Sequence, residues 1–219
     1  MFEIAPSLLA ADAGRLDEEI SSVEQAGAKL LHIDVMDGCF VPNLSFGPNI
    51  VAGIRGNCKM IFDVHLMINQ PEKFVDPFIE AGADAITVHA EATAKLVEII
   101  EKCRKKGVQF GIAVCPQTDL QLIDAFLPDL DILLIMGINP GFGGQALKAE
   151  TFGRIRQAAD RRMALRARYR ISVDGGVKAG NAAALRLAGA DILVAGSAVF
   201  GQRDRQAALQ EIISASSIK

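Results

Sequence analysis

Short β-rich runs alternate with amphipathic segments from one end of the chain to the other, and no linker interrupts them. The runs are "FEIAPSLL", "KLLHIDVMD", "KMIFDVHLM", "DAITVHA", "VQFGIAV", "DILLIMGI", "RYRISVDGG" and "DILVAGSAVF". Between them lie segments such as "DAGRLDEEISSVEQAGA", "PEKFVDPFIEAGA" and "AKLVEIIEKCRKKG", in which Leu96, Ile99, Ile100 and Cys103 recur at helical spacing. Gly82, Gly107 and Gly189 close three such segments as helix caps do. Strand then helix, eight times over, specifies a parallel sheet with helical cover. The repeat averages roughly 25 to 28 residues, which suits a compact (β/α)8 TIM barrel. An open doubly wound sheet would have fewer strands and usually a glycine-rich first turn; the first strand here runs into "PSLLAAD". The expectation is α/β, one TIM-barrel domain over residues 1–219.

Half of the 219 residues are hydrophobic, enough for a substantial core, and the net charge of -3 offers no basic footprint for nucleic acid. The apolar runs are too short to span a membrane, and "MFEIAPSLLA" lacks the basic start of a signal peptide. A soluble, cytoplasmic protein is expected. Cys39, Cys58, Cys103 and Cys115 form no CxxC pair and read as reduced thiols, neither a disulfide framework nor a zinc site.

Barrels of this kind place chemistry at the C-terminal ends of strands. In "HIDVMDG" the side chains alternate, so Leu31, Ile33 and Val35 form an aliphatic face while His32, Asp34 and Met36 point the other way. Strand one ends at Ser7, strand three at His65 and Met67, strand six at Met136, strand seven at Asp174 and strand eight at Gly196 and Ser197. His32, Asp34, His65 and Asp174 thus converge on one mouth. Imidazole and carboxylate without thiolate suit one divalent ion: Zn2+, Fe2+, Mn2+ or Co2+. "PGFGGQ", "DGG" and "AGS" follow strands six, seven and eight, where backbone amides can cradle a phosphate.

A metal beside a phosphate cradle points to a sugar phosphate chelated through carbonyl and hydroxyl, with an enediolate stabilised by the ion. Asp34 and Asp174, on strands two and seven, are the pair able to remove a proton from one face and return it on the other, which is an epimerisation.

"APSLLAAD", "HIDVMDGCFVPN", "DVHLM", "GADAITVHAE", "NPGFGGQ", "VDGG" and "AGADILVAGSAVF", spanning residues 5 to 200, resemble the ribulose-phosphate 3-epimerases in the family's order. The resemblance implies a barrel of the ribulose-phosphate-binding type that interconverts D-ribulose 5-phosphate and D-xylulose 5-phosphate. It implies one divalent metal on His32, Asp34, His65 and Asp174, and an acid–base pair of Asp34 and Asp174. Ser7 and His65 would contact substrate, and Gly141, Phe142, Gly143 and Gly144 would form a loop closing over it. Gly175, Gly176, Gly196 and Ser197 would hold the phosphate, and Met36, Met67 and Met136 would line the site. Family members are dimers or hexamers, so a homo-oligomer is expected.

Cys39, Cys115, Gly137 and Leu147 depart from the family pattern; none is expected to touch a ligand or base, but they put the choice of ketose in question. The alternative substrate is a hexulose 6-phosphate such as D-allulose 6-phosphate. A related decarboxylase would carry DxKxxD, but Met36 stands in the lysine's place. Lys59, Lys148 and Lys178 are misplaced for a Schiff base, and a non-catalytic phosphate-binding barrel has no use for the metal set. His89 reads as a structural histidine off that set, and "RRMALRARYR" as a solvated helix face.

Overall fold

The computed structural model describes residues 2–217. Its strands are β1 (Glu3–Pro6), β2 (Leu30–Met36), β3 (Ile61–Met67), β4 (Ala85–His89), β5 (Gln109–Val114), β6 (Ile132–Met136), β7 (Arg170–Asp174) and β8 (Ile192–Ala195). All are parallel, in the order β1-β8-β7-β6-β5-β4-β3-β2. The cylinder is closed between β1 and β2 by one bridge, from Ser7 to His32.

The helices are α1 (Leu16–Gln25), α2 (Pro48–Arg55), α3 (Val75–Glu80), α4 (Leu96–Lys106), α5 (Thr151–Leu165), α6 (Ala179–Ala188), α7 (Ser197–Phe200) and α8 (Arg205–Ser216). The strand–helix alternation breaks once. After β5 the expected α-helix is replaced by two 3-10 turns, Leu120–Ile123 and Leu127–Asp129. Asp119 caps the first through its carboxylate on Gln121 N, and Pro128 lacks the amide that an α-helix would need there. Leu120, Ile123 and Leu127 still cover the sheet as a helix would.

The main core lies between barrel and helices. Leu31, Ile33 and Val35 of β2, Phe62, Val64 and Leu66 of β3, and their counterparts on β4 to β8 point outward into it. Strand alternation therefore turns the intervening residues toward the axis. Asp84, Asp131 and Asp191 stand immediately before β4, β6 and β8. Their carboxylates accept from the amides of Phe62, Phe110 and Ile171, at 2.8, 2.9 and 2.8 Å. These three pins fix the N-terminal rim. The opposite rim is thereby left to loops.

Candidate active site

Register decides which inward residues meet. His32 is level with Asp63, Asp34 with His65, and Met36 with Met67; Met136 on β6 is level with Asp174 on β7. His32 Nδ1 lies 2.8 Å from Asp63 Oδ2 and donates to that carboxylate, so His32 presents Nε2 to the barrel axis. That Nε2 is 3.3 Å from Asp34 Oδ1, is buried and makes no hydrogen bond. Asp34 Oδ1 also lies 3.1 Å from His65 Nδ1, which is 4.0 Å from Asp174 Oδ2. Ser7 Oγ donates to Asp34 Oδ2 at 2.6 Å. One donor atom each from His32, Asp34, His65 and Asp174 falls within 4.8 Å of the other three. All four expected ligands are therefore together.

The electrostatics of the cluster favour a cation. Burial disfavours a charge on His32, but the carboxylates of Asp34 and Asp63 outweigh it and raise its pKa well above the ordinary value. Burial likewise pushes Asp34 up, yet His32 and His65 hold it far below the usual carboxylate range. Asp174 goes the opposite way, pushed up to about 7 by burial and then by the Asp34 charge. Burial lowers His65 to about 4. One carboxylate is thus ionised and its neighbour holds a proton near neutrality, the division of labour that paired acid–base groups require. An unpartnered buried imidazole nitrogen among carboxylates, in an N/O donor set, fits a first-row divalent ion.

Above the cluster opens a cavity of about 910 Å³. Ser7, Asp34 and Asp174 reach it from the strands, and Met36, Met67 and Met136 give it an apolar wall. Gly141, Phe142, Gly143 and Gly144 form one side, and Gly175, Gly176, Gly196 and Ser197 another. His32 and His65 are fully buried and stand behind Asp34 rather than on the cavity wall. The loop after β6 is braced by Gln145, whose side chain donates to Asn139 O and Phe142 O, and by Asn43, which donates to Gly141 O at 2.8 Å.

Two of the four departures pack together. A Cβ on Gly137 would lie 2.6 Å from Leu147 Cδ1 and 2.6 Å from Gly175 O, so Leu147 fills the space that a side chain at 137 would need. The Gly137 amide donates to the main-chain Asp174 O at 2.6 Å, continuing the β6–β7 ladder beside the acid–base pair. Cys39 is exposed and Cys115 buried; neither lines the cavity. Cys58 and Cys103 are buried free thiols, and no disulfide joins any of the four.

His89 lies outside the four-residue cluster, as expected, but packs directly against one of its members. Its Nε2 lies 3.0 Å from His65 Nε2, and its Nδ1 lies 3.2 Å from Glu91 Oε2 and 3.5 Å from Cys115 Sγ. Asp63 is the second supporting residue that the motifs leave unremarked, although "FDVH" sets it two residues before His65, on the same face of β3.

Barrel, rim cluster and glycine-lined cavity define an enzyme of the TIM-barrel class with a candidate divalent-metal site. Solved structures agree on the fold. A 3-hexulose-6-phosphate synthase matches with a TM-score of 0.75 at 18% identity, covering 99% of this chain and 100% of that one. A 3-keto-L-gulonate-6-phosphate decarboxylase from Vibrio cholerae matches with a TM-score of 0.73 at 18% identity, covering 99% of each chain. Closer in sequence are ribulose-phosphate 3-epimerases. That of Bacillus subtilis (strain 168) is 45% identical over 215 residues, 97% of this chain and 98% of its own. That of Synechocystis sp. is 47% identical over 202 residues, 90% and 86%. The model of the ribulose-phosphate 3 epimerase family matches residues 3–200. The chain belongs to the ribulose-phosphate 3-epimerase family, and it is an isomerase. Among the described residues no helix is long and apolar enough to cross a membrane.

Proposed function

We propose that the chain interconverts D-ribulose 5-phosphate and D-xylulose 5-phosphate by two-base proton transfer at C3, with one divalent ion on His32, Asp34, His65 and Asp174. The observation that carries this reading is the pair Asp34 and Asp174: two carboxylates, from β2 and β7, on one cavity and within one cluster with His32 and His65. Bound between them, a ketose phosphate loses the C3 proton to the ionised carboxylate, and the protonated one delivers its own proton to the opposite face. A divalent ion held by His32, Asp34, His65 and Asp174 would supply Lewis-acid stabilisation of the charge that develops on the substrate's oxygens. Zn2+, Fe2+, Mn2+ and Co2+ all suit the donor set.

The chain's own residues do the remainder. Ser7 holds Asp34 through its 2.6 Å hydrogen bond and keeps that carboxylate oriented. Asp63 holds His32 in the tautomer that ligates a cation. Met36, Met67 and Met136 exclude water from the enediolate without offering it a proton. Backbone amides at Gly175, Gly176, Gly196 and Ser197 receive the phosphate, and the loop from Gly141 to Gly144 covers the sugar.

The test is exchange in D2O followed by NMR, with ribulose 5-phosphate and allulose 6-phosphate in separate samples, each with and without chelator. Deuterium should enter C3 of the pentulose as xylulose 5-phosphate forms, and chelation should stop both. Exchange restricted to the hexulose would move the substrate. No exchange with either, in metal-loaded protein, would refute the reaction.

A further inference from the structure

His89 and Glu91 are the best-connected polar groups beside the cluster that the proposed reaction leaves without a task. His65 presents Nδ1 to Asp34 and Asp174, and turns Nε2 toward His89 Nε2 at 3.0 Å. Two nitrogens at that distance share one proton. If His65 Nδ1 is a ligand, its lone pair is committed, and the proton of a neutral His65 must sit on Nε2. His89 Nε2 then accepts, and the proton of His89 sits on Nδ1. Nδ1 faces Glu91 Oε2 at 3.2 Å, an acceptor. Glu91 is itself anchored, because its Oε1 accepts from Cys115 N at 2.8 Å and from the Thr118 hydroxyl. The chain of donors runs one way only. His89 is fully buried and lies against Phe40, at 4.8 Å between ring centroids, so the ring cannot easily turn.

We propose that His89 and Glu91 are positioning residues that hold His65 in the Nε2–H tautomer and so keep its Nδ1 lone pair free for the metal. The two ligand histidines are then supported alike, His32 by a carboxylate directly and His65 by a carboxylate through a second imidazole. This rests on the metal reading given above.

The same proton count settles a competing role for these side chains. His89, Glu91 and Cys115 offer nitrogen, oxygen and sulfur close enough together to bind an ion. Such an ion would take the His89 Nδ1 lone pair, push the His89 proton onto Nε2, and so drive the His65 proton onto Nδ1. Filling the trio would empty the main site of one ligand, so the relay excludes a second ion there while the first is held.

Glu91→Gln tests the proposal because it changes proton direction but hardly shape. The amide oxygen is drawn to Cys115 N–H and the Thr118 hydroxyl, both donors, leaving the amide NH2 against His89 Nδ1. That donor reverses the relay and places a proton on His65 Nδ1. Glu91→Ala removes the acceptor without imposing a donor, and leaves His89 free to keep its tautomer. Cobalt(II) is titrated into metal-free full-length protein and followed by its visible absorption. Glu91→Gln should bind about 10- to 100-fold more weakly than wild type, and Glu91→Ala should fall between them, with the metal-free melting temperature of Glu91→Gln close to wild type. A role in packing alone would invert the order, the truncation being worse than the isostere.

Wild-type affinity in Glu91→Gln, or weaker binding by Glu91→Ala than by Glu91→Gln, overturns the relay while leaving the metal site intact. Failure of wild type to bind cobalt overturns the metal reading and the relay with it. A second equivalent bound by wild type, with a thiolate-to-cobalt band in the near ultraviolet, overturns the proton assignment. Nitrogen NMR of histidine-labelled, zinc-loaded wild type gives a check independent of variants. His89 should carry its proton on Nδ1 and His65 on Nε2, and His89 protonated on Nε2 refutes the proposal.

Discussion

Gly176→Ala should disable the site by geometry alone. Gly176 has φ of +71°, and a Cβ placed on it would lie 2.7 Å from Leu147 Cα and 2.9 Å from Leu147 Cβ. Carbon atoms in good contact sit about 3.5 to 4.0 Å apart, so the backbone at 147 must retreat by roughly 1 Å. The left-handed conformation costs an L-residue about 1–2 kcal/mol, and overpacking against backbone adds about 1–3 kcal/mol. The sum, about 2–5 kcal/mol, corresponds to a melting temperature lower by roughly 5 to 20 °C for a chain of this size. The shift also enters the cavity, because Gly176 and Leu147 both line it. A displacement of about 1 Å there is worth about 10²-fold in turnover. Gly153→Ala is the matched control. Gly153 lies within α5, is exposed, and has nothing within 4 Å of an added Cβ; alanine there should stabilise by about 0.5–1 kcal/mol. Urea unfolding and turnover of both variants test the pair. If Gly176→Ala unfolds within about 0.5 kcal/mol of wild type and turns over normally, the close approach is not what that glycine provides.

Asp174→Asn should lower turnover by about 10² to 10⁴-fold and weaken cobalt binding in the same protein, since one side chain supplies both the proton and a ligand; near-normal activity would remove it from the pair. Cys103 is buried, and burial followed by the Asp131 charge pushes its thiol up from 9.0 to about 12. The folded chain keeps a proton that the unfolded chain releases above pH 9, so this contribution is whole below pH 9 and is lost toward pH 12. Cys103→Ala should remove about 1.4 kcal/mol per pH unit of that loss, read from urea midpoints at several alkaline pH values; an unchanged slope would show that the thiol does not titrate this way. The loop from Gly141 to Gly144, with Phe142 54% exposed, should be cut more slowly by protease when ribulose 5-phosphate is present, and equal rates would count against closure.

The parts of the site legible in the sequence are those that one strand displays unaided. Period-two alternation turns His32, Asp34 and Met36 to one face whatever the neighbours do, and the glycines after β6, β7 and β8 announce close approach locally. Support for a ligand is different, because it crosses strands. Asp63 reaches His32 because β2 and β3 pair with those two residues level, and no pattern within either strand states that register. The contact of His89 with His65 is hidden for the same reason. On β4 it is Thr87 that is level with His65, and His89 sits two residues further toward the rim, from where its ring reaches back. Pro128 signals the missing helix after β5, but the helical spacing of Leu120, Ile123 and Leu127 conceals it, since 3-10 turns can bury the same apolar residues.

The seam of the barrel shows why register and chemistry are not separable here. β1 joins β2 by a single bridge, between Ser7 and His32, where a complete strand pair would share several. The Ser7 hydroxyl on Asp34 adds a buried side-chain bond across that seam, and a hydrogen bond to a charged group contributes about 1.5–3 kcal/mol. Ser7 thus contributes both to closure and to the orientation of Asp34. Ser7→Ala should therefore lower stability and turnover together, whereas Asp174→Asn, on a strand paired along its length to β6 and over Ser172–Asp174 to β8, should lower turnover with little change in the urea midpoint of metal-free protein. If both variants unfold alike, the seam carries no special share of the barrel's stability.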